Sequence, residues 1–121
     1  MCDTEKTKVI KLDPLYEDDH LSVVCIKPGH EYDIWKKDSE DLSDPLAEVC
    51  FQDGPIKEVE VNGIQNEPVI AILIDRLNYL DSQFPSDYNK DAIIHLEMAL
   101  KSLRQRTKDR QDRGVEGTNQ E

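Results

Sequence analysis

Ile93, Leu96, Leu100, Leu103, Arg106, Arg110 and Arg113 recur at three- and four-residue spacing, one helix face that is apolar for three turns and cationic for two. Such a stripe demands a partner. Ile70, Leu73, Leu77, Leu80 and Phe84 supply one with the same 3-4-3-4 step, the spacing of a coiled-coil-like seam. Pro85-Ser86-Asp87 breaks the pattern between the two, with Ser86 or Asp87 able to cap the second helix. The spacing therefore predicts an antiparallel two-helix hairpin, residues 67–84 followed by residues 88–113. Asn66 is placed to cap the first helix, Glu67 and Pro68 suit its first turn, and Gly114 ends the second helix at the position glycine favours. Val69 and Ile72 lie off the seam, a second apolar face that can cover a sheet.

The preceding residues read as that sheet. Short β-leaning runs at 8–12, 21–27, 46–52 and 56–61 are separated by Asp13-Pro14, Pro28-Gly29 and Asp53-Gly54-Pro55. The 56–61 run alternates apolar and polar with period 2, as a half-buried strand does. Residues 30–45 look least structured. Their apolar island, Ile34-Trp35, reads as a cover over a sheet edge, with a binding surface as the alternative. The expected class is α+β: an N-terminal antiparallel sheet of about four strands, then the helical hairpin, in a symmetric homo-oligomer. One domain spans residues 1–121, with a β-rich part at 1–61, the hairpin at 66–113 and a tail at 114–121.

Charge limits the partners. The 121 residues carry a net charge of −11, which argues against DNA or RNA backbone binding as the main task. In residues 101–113, however, six cations (Lys101, Arg104, Arg106, Lys108, Arg110, Arg113) are offset by Asp109 and Asp112, so this segment is +4 and the remainder −15. A cationic site within an acidic chain suits a small anion better than a polymer. Arg is the side chain for it, its planar fork matching phosphate and carboxylate. The plainer alternative is a solvated basic helix end on the C-terminal dipole.

Cys2, Cys25 and Cys50 are odd in number and widely separated, which favours a reducing cytoplasm. No Cys or His pair has metal-ligand spacing, and the longest apolar run, residues 69–74, is too short to span a membrane. No nucleophile elbow, phosphate loop, zinc-protease motif or Cys–His arrangement is present, so the expectation is a binding protein without cofactor rather than an enzyme.

Geometry then restricts the pocket. Asn89 and Arg110 stand 21 residues apart on one helix, about 30 Å at about 1.5 Å per residue. One chain cannot join them. Two hairpins packed head to tail can, and a two-fold axis makes two such pockets. Phe84 to stack, Asn89 to hydrogen-bond a base edge and several Arg for phosphates would suit a nucleotide. Core packing for Phe84 and a helix N-terminal hydrogen bond for Asn89 are the competing readings.

Phe51-Gln52-Asp53-Gly54-Pro55-Ile56, Asn62-Gly63-Ile64-Gln65-Asn66-Glu67, Ile74-Asp75-Arg76-Leu77, Phe84-Pro85, Asn89 with Ala92, Leu96-Glu97-Met98-Ala99-Leu100 and above all Arg106-Thr107 through Arg113-Gly114-Val115-Glu116-Gly117-Thr118 resemble a family of phage proteins. These share a helical-hairpin domain between two kinds of anti-defence sponge, anti-Thoeris and anti-CBASS. The resemblance covers residues 51–118, and the strand-bearing first half is more similar to the anti-Thoeris branch. It implies a cytoplasmic, non-enzymatic protein of the infected bacterium. Such a protein holds cyclic ADP-ribose isomers made by TIR-domain proteins in pockets shared between protomers, as a dimer or a larger assembly such as a hexamer. Some members also hold cyclic oligonucleotides at a separate site. By position, the resemblance implies that Phe84 stacks on adenine and Asn89 contacts base or ribose. Arg106, Arg110 and Arg113 would hold the pyrophosphate, with Val115, Glu116, Gly117 and Thr118 lining or closing the pocket. Ser86, Asp87 and Tyr88 depart from the family pattern. The alternative from charge alone is an acidic inhibitor that masks a host protein surface or mimics nucleic acid.

Overall fold

The computed structural model describes residues 13–39 and 44–118. The strand expected at 8–12 lies outside them. Contacts divide the chain into two compact units, residues 1–53 with 61–64, and residues 54–60 with 65–121.

The first unit is a four-stranded antiparallel sheet in chain order: β1 (Tyr16–Glu17), β2 (Leu21–Lys27), β3 (Glu31–Lys36) and β4 (Ala47–Cys50). Pro28 and Gly29 turn β2 into β3, with Gly29 at φ 76° and His30 N–H donating to the Lys27 carbonyl at 3.0 Å. That is the type II signature, Pro at the first central position and Gly at the second. The register sets Val24 opposite Asp33 and Val23 opposite Ile34. Alternate residues of β3, Glu31, Asp33 and Trp35, are buried. Trp35 and Val24 form the core of this unit with Ile26 packed against them. The reading of 30–45 as the least structured stretch is thus corrected for residues 31–36. Ile34-Trp35 belongs to an interior strand, and Trp35 is core rather than a cover over an edge. Polar residues at alternate positions hid the strand.

Beyond β4 the chain returns through residues 61–64. Phe51 bridges Ile64 in parallel, and Asn62 clamps Asp53, accepting its N–H at 2.9 Å and donating to its carbonyl at 2.7 Å. Tyr32 and Phe51 meet edge to face with centroids 5.9 Å apart. Cys25 is a free thiol, whereas Cys50 is disulfide-bonded, against the expectation of reduced cysteines.

The second unit opens with a correction. Residues 56–61 do not form a strand: α1 (Ile56–Val59) is a single helical turn. Pro55 sits at φ −67°, suited to helix entry, its carbonyl accepts the Val59 N–H at 2.9 Å, and Glu60 at φ 62° stops the turn. Six alternating residues were too few to outweigh the proline.

α2 (Asn66–Gln83) and α3 (Asp87–Asp112) form the hairpin. They run antiparallel: Thr107 Oγ1 lies 3.4 Å from Glu67 Oε2 near one end and Lys90 Nζ 3.1 Å from Asp81 Oδ2 near the other. Ser86 caps α3, its Oγ accepting the N–H groups of Tyr88 and Asn89. Asn66 is not the cap of α2: Gln65 holds that position, without a side-chain bond. Ile93 and Leu100 are the buried apolar anchors of α3, and Ile70, Ile74, Leu77 and Leu80 are half-buried along α2. The α2 seam therefore runs through Ile74 rather than Leu73, which is 43% exposed. Ile72, expected on a covered face, is 66% exposed.

Candidate functional site

The arginine stripe of α3 separates into three different environments. Arg110 is buried at 7% exposure, whereas Arg106 and Arg113 are exposed. Arg113 pairs one turn back with Asp109, Nε to Oδ2 3.1 Å, and Lys108 pairs with Asp112 at 3.0 Å. Arg106 has no hydrogen bond or ion pair among the described residues.

Local backbone chemistry explains the burial of Arg110. Gly114, at φ 73°, donates to the Gln111 carbonyl at 3.0 Å, and Val115 donates to the Arg110 carbonyl at 3.0 Å. This pair of bonds is the Schellman closure of a helix end, and it folds the tail back over the last turn of α3. The Arg110 guanidinium then meets the returning chain. Its Nη2 donates to the carbonyls of Val115 at 2.9 Å and Thr118 at 3.0 Å, and its Nε lies 3.7 Å from Glu116 Oε1. Glu116 Oε1 also accepts the Gly117 N–H at 3.1 Å, while Glu116 Oε2 is buried without a hydrogen bond. Thr118 Oγ1 closes the loop by donating to the Val115 carbonyl.

Of the residues singled out by sequence, the fold thus brings together Arg110, Val115, Glu116, Gly117 and Thr118. Phe84 and Asn89 are at the opposite end of the hairpin. Phe84, at the C-cap of α2, is 77% exposed, so core packing does not account for it. Asn89 is half-buried and its backbone N–H donates to Ser86 Oγ at 3.4 Å, which leaves its side-chain amide outside the capping role. The turn is braced by Asp81, whose Oδ1 accepts the Ser86 N–H at 2.9 Å. That bond, reinforced by Lys90, holds the Asp81 carboxyl below its ordinary value.

Sequence reasoning missed Lys57. Its N–H donates to the Gly117 carbonyl at 3.1 Å, linking α1 to the tail 60 residues later. No local pattern could have announced a pairing across that separation.

Among the described residues no group of His, Cys, Asp or Glu could hold a metal ion, and no helix is long and apolar enough to cross a membrane.

No protein-family profile matches the chain. Thoeris anti-defense 1 of Bacillus phage SBSphiJ7 is 46% identical to it over 82 residues, 67% of this chain and 58% of that protein. The chain belongs with the phage anti-Thoeris proteins. It spans less than two thirds of the length of this relative. The anti-Thoeris resemblance read from residues 51–118 is thus accompanied by 46% identity over 82 residues.

Proposed function

We propose that the chain blocks Thoeris defence by sequestering, without cleavage, a cyclic ADP-ribose isomer made by a TIR-domain protein in the host cytoplasm. The observation that carries this reading is the 46% identity to a protein named for anti-Thoeris action. The site that would do it is the enclosed Arg110 with its wrapped tail. A small anion with a planar base needs fixed cations and a stacking surface. Arg106, Arg110 and Arg113 offer the first and exposed Phe84 the second.

The pocket is shared between two copies in this reading. Phe84 and Arg110 occupy opposite ends of one hairpin, so a head-to-tail dimer is what unites them. Support for such pairing comes from the apolar side chains the hairpin leaves in solvent, among them Ile72, Leu73, Tyr79, Ile94 and Met98. In this arrangement Asn89 contacts base or ribose, and residues 115–118 close over the ligand.

The test is titration calorimetry of the full chain against cyclic ADP-ribose isomers and a cyclic oligonucleotide, then heat denaturation and chromatography of what is released. Tight binding near one ligand per chain with intact recovery is expected. Cleaved product would replace the sponge with an enzyme. Absence of binding to any cyclic nucleotide would leave the acidic, protein-masking alternative in its place.

A further inference from the structure

Arg110 is committed before any ligand arrives. Both carbonyls that bracket the tail take its Nη2, and its Nε faces the Glu116 carboxylate. A phosphate entering beside it meets a guanidinium already engaged and a carboxylate oxygen, Glu116 Oε2, that is buried and unpaired. More positive charge is required on the ligand side of the tail.

Gly117 shows where that charge stands. Its φ of 82° and its bond from Lys57 N–H press the Gly117 backbone against the Lys57 side chain. A methyl group on Gly117 would sit 3.1 Å from Lys57 Cγ and 3.5 Å from Cδ and Cε. The aliphatic stem therefore runs along Gly117 and carries the ammonium, one bond past Cε, to the rim of the tail. Lys57 is exposed, and its Nζ has no hydrogen bond or ion pair among the described residues. The absence of a side chain at 117 and a lysine stem laid over the gap are one feature.

We propose that Lys57 is a ligand-contacting residue of the Arg110 site, its ammonium meeting the pyrophosphate of a bound nucleotide beside the arginines, while Arg110 also positions the tail. This rests on the sequestration reading above. It assigns the anion contact to a lysine point charge mounted on the tail rather than to the buried fork alone. The backbone bond from Lys57 to Gly117 ties the ammonium to the tail, so the two move as a unit.

The experiment compares the unaltered full chain with Lys57→Gln and Lys57→Arg by calorimetry against cyclic ADP-ribose isomers at low and high salt. Because the link to Gly117 is made by the backbone N–H, both variants retain it, and unchanged circular dichroism and melting are expected. Lys57→Gln should bind about tenfold or more weakly, the loss of one charge-assisted contact, with a shallower salt dependence. Lys57→Arg should recover most of the affinity. In parallel, bound ligand should shield Lys57 from an amine-acylating reagent read by mass spectrometry. Equal affinity and salt dependence in Lys57→Gln, with Lys57 still acylated in the complex, would overturn the lysine contact and leave sequestration standing. An unaltered chain that binds none of the isomers would overturn both.

Discussion

Arg110 and Thr118 are eight residues apart in sequence, yet Arg110 Nη2 donates to the Thr118 carbonyl at 3.0 Å. Through that bond and its companion to Val115, the last turn of α3 holds the tail that follows it. The arginine that the helical stripe singles out is therefore a fastener of the tail.

Replacing Arg110 with Ala should release residues 115–118 while α2 and α3 persist. Two carbonyls and the Glu116 carboxylate lose a charged donor, a local cost of about 1.5–3 kcal/mol per bond to a charged group. Hydrogen exchange at the Gly117 and Thr118 amides should accelerate, and helical circular dichroism should stay near its original value. Slow exchange in the variant would show that the tail holds without Arg110.

Gly117→Ala adds a methyl that must displace the Lys57 stem and imposes a left-handed φ on an alanine. The backbone strain alone is about 1–2 kcal/mol. The tail should loosen from α1, and affinity for cyclic ADP-ribose should fall by a comparable amount. An alanine variant that binds like the original would mean the α1–tail contact is dispensable.

Trp35→Ala should unfold the first unit. The side chain is 4% exposed and is the largest member of the cluster with Val24 and Ile26. Such truncations cost about 3–5 kcal/mol, a large share of what a small unit can lose. As the one tryptophan of the chain, Trp35 is also the reporter: its fluorescence in the original protein should track melting of the sheet. Retention of near-native strand dichroism in the variant would contradict its core role.

Asp81 makes the hairpin turn sensitive to acid. The Ser86 N–H, first, and Lys90, second, stabilise its charged form and lower its pKa from the ordinary 3.8. A carboxyl depressed in the folded state contributes stability that is fully present above the unfolded value and lost as pH falls through the folded one. The Asp81-dependent part of hairpin stability should therefore be intact above about pH 5 and disappear below 3.8. Asp81→Asn should flatten that acid limb in thermal melts taken from pH 6 to pH 2.5; an unaltered limb would assign it to other carboxyls.

The two long helices and the ends of α3 were legible because their determinants are local, whereas the α2 start was misassigned to Asn66. Apolar spacing, Ser86 at the cap and Gly114 past the last turn each act within four residues, so the chain itself states where α3 starts and stops. The Schellman bond from Val115 to Arg110 was implicit in Gly114 for the same reason. Two segments were misread because a stronger neighbour overrode a short pattern. Pro55 turned the alternating 56–61 run into α1, and antiparallel pairing on both sides drew the polar Glu31–Lys36 run into an interior strand.

Sequence by itself determined the hairpin, the arginine stripe on its second helix and the resemblance that the 46% identity supports. Only the tertiary structure divided the arginines, enclosing Arg110 in the tail and leaving Arg106 and Arg113 in solvent. Only it laid Lys57 on Gly117. The physical reason is range: a helix face follows from 3.6-residue periodicity, whereas burial of a guanidinium and contact across 60 residues depend on where the backbone returns.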